Sequence, residues 1–223
     1  MRPAARLMIA TFGAYTALMG VEHGIGEMLQ GSVKPPDLFI RSWPDSKFFE
    51  ILSGEPALTI IPNMVITGVL AVIFSLAYLA WATWYVDRKN AGLVMMLLTI
   101  PMLLFGAGLF PPILGLLIGF AAWRFSKAGK AREKSVSPLQ RTLASLFPWA
   151  YGACLLAWLT MFPGVPLLNQ FFGFGSEAFI FTVLGFMFVF LLLAMMTASV
   201  RDALMRTARV RRRRAADAAH TAR

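Results

Sequence analysis

The stretch AFIFTVLGFMFVFLLLAMMTASV, residues 178–200, decides the fold class of this chain. Its 23 residues carry no charge, and about 20 apolar residues in a helix are enough to cross a hydrocarbon core about 30 Å thick. A basic tail follows and includes four consecutive arginines at residues 211–214. This combination predicts a transmembrane helix that ends beside a positively charged flank.

The charged residues of the whole chain separate into two sets on either side of apolar segments. Of the 21 Lys and Arg, 18 lie near the N-terminus, at residues 88–89, at residues 124–141 or after residue 200. Seven of the 11 acidic residues lie in the opposite set, with the three remaining basic residues. Cytoplasmic loops of membrane proteins carry the excess of Lys and Arg. The pattern therefore predicts a multi-pass protein of the cell (plasma) membrane with its basic loops inside.

Composition excludes a soluble globular fold and explains the net charge. The chain is 58% hydrophobic and 14% charged, with a mean hydropathy of +0.66. A net charge of +10 can indicate nucleic acid, but these charges flank apolar spans, so we expect no nucleic-acid partner. We expect the tail, residues 201–223, to be flexible or to lie on anionic lipid headgroups. The one cysteine, Cys154, excludes an internal disulfide.

The sequence predicts an all-α integral membrane helical bundle in residues 1–200, with six crossings and both termini cytoplasmic. The predicted spans lie near residues 7–26, 57–85, 91–107, 111–124, 143–162 and 178–200. We expect the second span to begin at Pro56, because proline suits the first position of a helix. We expect the fifth span to stop at Pro163, before a glycine- and aromatic-rich loop at residues 164–176.

The loop of residues 30–55 is expected to contain a short helix of its own. Asp45 or Ser46 can cap this helix, and Gly54 can end it. The apolar side of the helix would then lie on the membrane surface or cover the bundle.

Residues 91–124 are predicted to form a helical hairpin. One straight helix over this segment would be about 50 Å long at about 1.5 Å per residue, much more than a bilayer requires. The sequence GAGLFPP at residues 106–112 also favours a turn. A single crossing would place the basic loop 124–141 outside, against the charge rule. Two short arms, partly re-entrant, keep that loop inside.

The densest polar cluster is GVEHGIGE, residues 20–27, at the outer end of the first span. Glu22, His23 and Glu27 are candidate ligand-binding residues, and His23 and Glu27 share a helix face because they are four residues apart. An imidazole beside a carboxylate can bind a cation or relay protons. The alternative is that these groups lie at headgroup depth, solvated or paired with basic residues. With no second His outside, a zinc site of several histidines is excluded.

A second polar stripe is expected on the second span. It consists of Glu55, Thr59, Asn63 and Thr67. Pro62 would free the carbonyl of Leu58, so a kinked helix with Asn63 inside the membrane could line a cavity for an ion or polar ligand. The alternative is hydrogen bonding between helices that locks the bundle.

Aromatic and glycine-rich loops form a third feature. Residues 42–45, 106–112 and 171–175 are expected to gather on the outer face, where they either bind a ligand or anchor the protein at the interface. The sequence contains no phosphate-binding loop, nucleophile elbow or paired-histidine zinc motif. It therefore identifies no catalytic residue, metal or cofactor.

Five short motifs resemble those of an uncharacterised family of small bacterial multi-pass membrane proteins. The motifs are GVEHGIGE at 20–27, SWPDS at 42–46, GEPA at 54–57, IPN at 61–63 and FPP at 110–112. The resemblance covers about the first 125 residues. It implies an origin in a bacterial cell inner membrane, and it implies no activity, substrate or catalytic residue.

The leading functional hypothesis is binding or permeation of a cation or small polar ligand at an outward-facing site. The residues expected to converge there are Glu22, His23, Glu27, Glu55 and Asn63. One alternative is a membrane accessory or structural protein that packs against a membrane-protein partner through the outer loops and through Gly20 and Gly24, whose spacing lets a second helix approach closely. A second alternative is a membrane enzyme in which His23 and Glu27 form an outward acid-base pair. Polar groups around a cavity favour binding or catalysis, whereas outward-facing glycines on a flat surface favour the accessory function.

Reporter fusions at Lys130 and at Arg223 test the topology. Both should give a cytoplasmic signal, because only that arrangement places residues 124–141 and 211–214 on the same side as the basic N-terminus. A fusion within residues 30–55 should give the opposite signal and serves as the control. An external signal at Lys130 would remove the hairpin and leave five crossings.

Overall fold

The structure of the chain is a computed structural model that describes residues 3–127 and 137–221. These residues are mainly helical and include one small antiparallel sheet. The helices are α1 (Pro3–Leu29), α2 (Met64–Thr83), α3 (Ala91–Leu104), α4 (Phe110–Lys127), α5 (Pro138–Ser145), α6 (Phe147–Leu159), α7 (Val165–Phe172) and α8 (Glu177–Thr221). The sheet pairs β1 (Phe39–Arg41) with β2 (Pro56–Leu58).

Four helical stretches in the described part of the chain are long and apolar enough to cross a membrane. They are Pro3–Leu29, Met64–Thr83, Pro138–Phe172 and Glu177–Val210. Large apolar side chains also point outward, and on α8 Val189, Leu192 and Met196 are each more than half exposed. Such a surface is stable in lipid rather than in water. The prediction of a helical membrane protein is confirmed.

α3 and α4 form the expected hairpin rather than one straight helix. The backbone of Gly92, near the start of α3, packs against Gly119 and Trp123, near the end of α4. α3 has 14 residues and is therefore about 21 Å long, shorter than a bilayer core of about 30 Å. The short arm agrees with the sequence-based expectation, and the number of crossings stays a prediction.

α1 packs against α2, α4 and α8 and defines the two ends of the bundle. At the basic end, where α1 starts, Arg6 Nη1 lies 3.4 Å from Asp87 Oδ2 in the loop after α2. The first residues of α1 also contact Asp202 of α8 there. At the other end, where α1 finishes, residues 30–63 and the α3–α4 turn cover the helix. We call these two segments the cap, and this end of the bundle the cap end. Part of the predicted basic loop, residues 128–136, lies outside the described residues.

α1 and α2 pack closely because small residues face each other. Gly24 of α1 lies against Gly68 and Ala71 of α2, and Gly20 lies against Ser75. The spacing of Gly20 and Gly24 therefore serves a contact between two helices of this chain. Both glycines are buried in the bundle.

The second span begins later than its sequence suggests. Pro56 is not the first residue of a helix, because residues 56–58 form β2 and α2 starts only at Met64. Pairing with β1 satisfies backbone hydrogen bonds that the expected helix would otherwise have made. Pro62 lies in the loop before α2 and frees no carbonyl of Leu58 within a helix. The prediction of a kinked, polar second span is therefore wrong.

The expected short helix in residues 30–55 is a single 3-10 turn at Glu50–Leu52. No side chain caps this turn, so the expectation for Asp45 or Ser46 is wrong. The neighbouring Phe49 is buried and belongs to the apolar side of the loop. The sequence left two positions open for this apolar side, on the membrane surface or over the bundle. In the structure it covers the bundle.

The fifth span does not stop at Pro163. After α6 the chain forms a π-helical segment, Thr160–Gly164, and then continues as α7 to Phe172. Phe162 has an extended conformation with φ −145°, as a residue before proline favours. The helix is therefore interrupted rather than ended, and the glycine-rich loop is residues 173–176 instead of 164–176.

α8 continues past the predicted span as far as Thr221. The described part of the predicted tail is therefore an extension of the last helix. Arg201, at the start of this extension, lies over the Phe147 ring with 5.4 Å between its guanidinium carbon and the ring centroid. Contact between the tail and anionic lipid stays a prediction.

Asp202 fastens α8 to the start of α1. Its carboxylate oxygens accept hydrogen bonds from the backbone N–H groups of Ala4 (3.2 Å) and Ala5 (3.0 Å). The first N–H groups of a helix have no partner within that helix, and negative charge is stabilising beside them. Asp202 is buried and acts as an N-terminal cap that the last helix supplies to the first.

Asp202→Ala should lower the free energy of unfolding by about 1–3 kcal/mol, because a buried helix start loses a charged acceptor. Unfolding of the purified protein in detergent, followed by circular dichroism, measures the change. The exposed Asp45 provides the control, and Asp45→Ala should stay within about 0.5 kcal/mol of the wild type. Equal stability of the two variants would show that Asp202 contributes nothing as a cap.

Candidate functional site

His23 lies at the centre of a polar cluster at the cap end. Its side chain is 2% exposed, and both ring nitrogens face carboxylates: Nδ1 is 3.1 Å from Glu22 Oε2, and Nε2 is 3.2 Å from Glu55 Oε2. Nδ1 also lies 2.9 Å from the backbone oxygen of Met19. Only an imidazole with a proton on each nitrogen can donate to both carboxylates at once.

A tight turn before β2 brings Glu55 to His23. Ser53, Gly54 and Glu55 have φ values of 58°, 73° and 55°, all in the left-handed region. The carbonyl of Glu55 accepts a hydrogen bond of 3.0 Å from the N–H of Ser42, which fixes the turn beside α1. Positive φ is uncommon in a residue other than glycine and occurs where the surroundings enforce it, often at functional sites. The enforced conformation here presents a carboxylate to the imidazole.

Glu22 is held in place by Trp43 of the cap. The indole Nε1 of Trp43 donates a hydrogen bond to Glu22 Oε1, and the indole stacks on Phe49 with 5.0 Å between ring centroids. Gly26 leaves room for this indole, since a side chain at that position would collide with it. Glu22 therefore connects His23 of α1 to the aromatic part of the cap.

Glu27, one turn beyond His23, is the most enclosed carboxylate of the cluster. The residue is fully buried, and its Oε1 accepts a hydrogen bond of 3.3 Å from Ser42 Oγ. Its Oε2 has no hydrogen-bond partner among the described residues. Burying a carboxylate is costly unless its oxygens are satisfied. This oxygen is therefore a natural position for a cation or for the polar hydrogens of a ligand.

The α3–α4 turn closes the cluster from one side. Gly106 and Gly108 have φ values of +88° and +80°, and they lie directly against the Glu27 carboxylate and the His23 imidazole, respectively. A side chain at either position would require an unfavourable backbone conformation and would collide with the polar group. The turn therefore fits the cluster only with glycine at both positions.

Asn63 is not part of this cluster. Its side chain caps α2 by accepting a hydrogen bond of 3.2 Å from the N–H of Ile66, and its Nδ2 donates to Ser32 Oγ at 2.7 Å. Thr59 and Thr67 share a hydrogen bond of 2.6 Å with each other. The four-residue period expected for this stripe does not apply, because the chain before α2 is not helical. The residues that the structure does bring together are Glu22, His23, Glu27 and Glu55.

Four further residues of the cluster were not identified from the sequence as members of it. They are Ser42, Trp43, Gly106 and Gly108. The two loops that contain them lie at the cap end, and Gly175 of the third aromatic and glycine-rich loop lies beside Ile51 of the cap. Phe171 and Phe172 are more than 70% exposed, as expected of residues that anchor a protein at the membrane interface.

A cavity of about 300 Å³ lies beside Glu55. Its walls come from α1, the cap, the α6–α7 interruption, the start of α4 and one face of α8. Most of its lining is apolar, and the polar exceptions are Ser53, Glu55 and Glu177. Its volume is at the lower limit of ligand pockets, which measure about 300 to 1,000 Å³.

Among the described residues, the cluster does not gather several side-chain ligands around one metal ion. Within residues 3–127 and 137–221, no group of three or more His, Cys, Asp or Glu side chains could hold a metal ion. In the cluster, each nitrogen of His23 already faces a protein acceptor. The arrangement suits a ligand that donates hydrogen bonds, or a simple cation that contacts carboxylate oxygens.

Comparisons with protein-family models, with curated proteins and with solved structures give no significant match. The class of protein is therefore defined by the fold and the cluster alone. The chain is a helical membrane protein in which three carboxylates and one imidazole are enclosed beneath a folded loop at one end of the bundle.

Gly106→Ala should lower the free energy of unfolding by about 1–3 kcal/mol, because the added methyl group meets the Glu27 carboxylate. Gly185→Ala is the matched control, since Gly185 lies within α8 with open space around it. Alanine there should be neutral or stabilising by up to about 1 kcal/mol. Thermal unfolding in detergent measures both variants. Unchanged stability of Gly106→Ala would contradict the close contact between the turn and Glu27.

Proposed function

We propose that the protein binds a cation at the cap end, through the carboxylates of Glu22, Glu27 and Glu55 around His23. The supporting observation is the balance of charge, since three carboxylates surround one imidazole in a largely buried place. Even a fully charged imidazole leaves this cluster with excess negative charge. A bound cation would remove that excess and would give Glu27 Oε2 a partner.

The proposed setting is the inner membrane of a bacterial cell, with six crossings and both termini in the cytoplasm. The distribution of Lys and Arg supports this topology. The start of α1 and Asp202 of α8 also lie at one end of the bundle, as this topology requires. The cap end then faces outward, so the ligand reaches the cluster from outside the cell. The tail, residues 201–223, contacts anionic lipid headgroups on the inner side.

Binding fits the geometry better than the two alternatives. An accessory function was expected to use Gly20 and Gly24 as an outward surface, but both pack within the bundle. An enzyme would need His23 to exchange a proton with a substrate, but each ring nitrogen already faces a protein acceptor. Permeation of a cation would begin with binding at the cluster. The same site therefore accounts for binding alone and for binding followed by permeation.

Calorimetric titration of the full chain in phosphatidylcholine nanodiscs with Na⁺, K⁺ and methylammonium tests this function. At least one of the three cations should bind the wild type. Glu27→Gln and Glu55→Gln should each weaken that binding by at least about tenfold, because a buried interaction between charges is lost. Glu50→Gln is the matched control, since Glu50 is an exposed carboxylate of the same cap, and it should leave the affinity unchanged.

Stability provides a second readout of the same site. Without added cation, Glu27→Gln should be at least as stable as the wild type, because an incompletely satisfied buried charge is removed. The absence of binding by all three cations would contradict the proposal, as would equal binding by wild type and both glutamine variants. Uptake of the bound cation into liposomes then distinguishes permeation from binding alone.

A further inference from the structure

We propose that the occupant of this site is an amphipathic ammonium compound, with its charged head at Glu55 and its apolar part in the cavity beside α8. The inference rests on the proposed function and adds the chemical class of the ligand to it. The supporting observation is the lining of the cavity, in which acidic and apolar residues lie at different positions along α8.

The acidic wall lies at the cap end of the cavity. Glu55 lines the cavity while its Oε2 faces His23, so this residue connects the cavity to the buried cluster. Glu177 lies in the first turn of α8 and is exposed, which places it at the mouth. None of the described residues that line the cavity is basic. The negative charge is therefore left for a positively charged ligand to neutralise.

The apolar wall extends away from the cap end along one face of α8. After Glu177, the residues of this face are Ile180, Phe181, Leu184 and Met187. The wall from Glu177 to Met187 is about 15 Å long at about 1.5 Å per residue. Met19, one turn before His23 on α1, also lines the cavity. The lining therefore changes from acidic to apolar with increasing depth in the bundle.

This lining distinguishes between classes of ligand. A small inorganic cation would satisfy the carboxylates and leave the apolar wall without a partner. A phospholipid would place its phosphate beside two carboxylates with no Lys or Arg in the lining to receive it. A hydrophobic amine or quaternary ammonium compound would place its charged group at the acidic wall and its apolar part against the apolar wall. Phe110 and Phe162 also line the cavity, and aromatic faces attract ammonium groups.

Binding of methyl-, butyl- and hexylammonium to the full chain in phosphatidylcholine nanodiscs tests the inference. Each methylene that enters an apolar site from water should tighten binding by about fourfold. Hexylammonium should therefore bind at least tenfold more tightly than methylammonium, after subtraction of the heat measured with empty nanodiscs. Hexanoate carries the opposite charge on a similar chain and should show no binding.

Leu184→Trp should fill the apolar part of the cavity, so this variant distinguishes the contribution of the apolar wall to binding from that of the acidic wall. Hexylammonium should lose at least tenfold in affinity for this variant, while methylammonium binding stays within about twofold of the wild type. Leu192→Trp is the matched control, because Leu192 lies on the same helix, is 52% exposed and does not line the cavity. If Leu184→Trp does not fold, the chain-length series in the wild type decides the question alone.

The inference and the proposed function can fail separately. If methylammonium binding depends on Glu55 but the affinity does not rise from methylammonium to hexylammonium, the inference is overturned and the cation site is retained. Equal binding of hexanoate and hexylammonium would also overturn it, because the cavity would then recognise the apolar chain alone. The absence of binding by every ammonium compound and by Na⁺ and K⁺ would overturn both.

Discussion

The contact of the His23 imidazole with the carboxylates of Glu22 and Glu55 connects the membrane bundle to its cap. His23 and Glu22 belong to α1, whereas Glu55 belongs to the loop, so the contact draws the loop onto the end of the helix. Buried charged groups are costly unless each is satisfied, so the cluster is stable only while the cap stays closed. Stacking of Phe49 on Phe162, with 6.0 Å between ring centroids, fastens the cap to the α6–α7 interruption and helps to exclude water.

The fold class could be predicted because it depends on composition and on the order of charges along the chain. The α3–α4 hairpin was also predictable, since glycine and proline mark its turn locally. The start of α2 was not predictable, because β2 exists only through its pairing with β1, a contact between distant parts of the chain. Pro163 was misinterpreted for a related reason: a proline shows where a helix is disturbed, and packing decides whether it resumes.

The candidate site could be predicted where helical periodicity applied. His23 and Glu27 share a face of α1 because they are four residues apart, and Glu22 directly precedes His23. Glu55 was included on the assumption that it starts a helix, but it reaches His23 from a left-handed turn. Asn63 was included on the same assumption and has other partners. Gly106 belongs to the site because the α3–α4 turn contacts Glu27 of α1. No local sequence pattern predicts a contact between these two parts of the chain.

The hydrogen bonds from Ala4 and Ala5 to Asp202 also bear on biogenesis. The ribosome makes α1 long before α8, so the exposed backbone groups at the start of α1 must first be satisfied by water or lipid headgroups. They exchange these temporary partners for Asp202 only after α8 has entered the bilayer. A nascent chain that stalls before α8 therefore keeps an uncapped helix at the basic end. The first N–H groups of that helix stay exposed, so an unfinished chain differs from a completed bundle at this end.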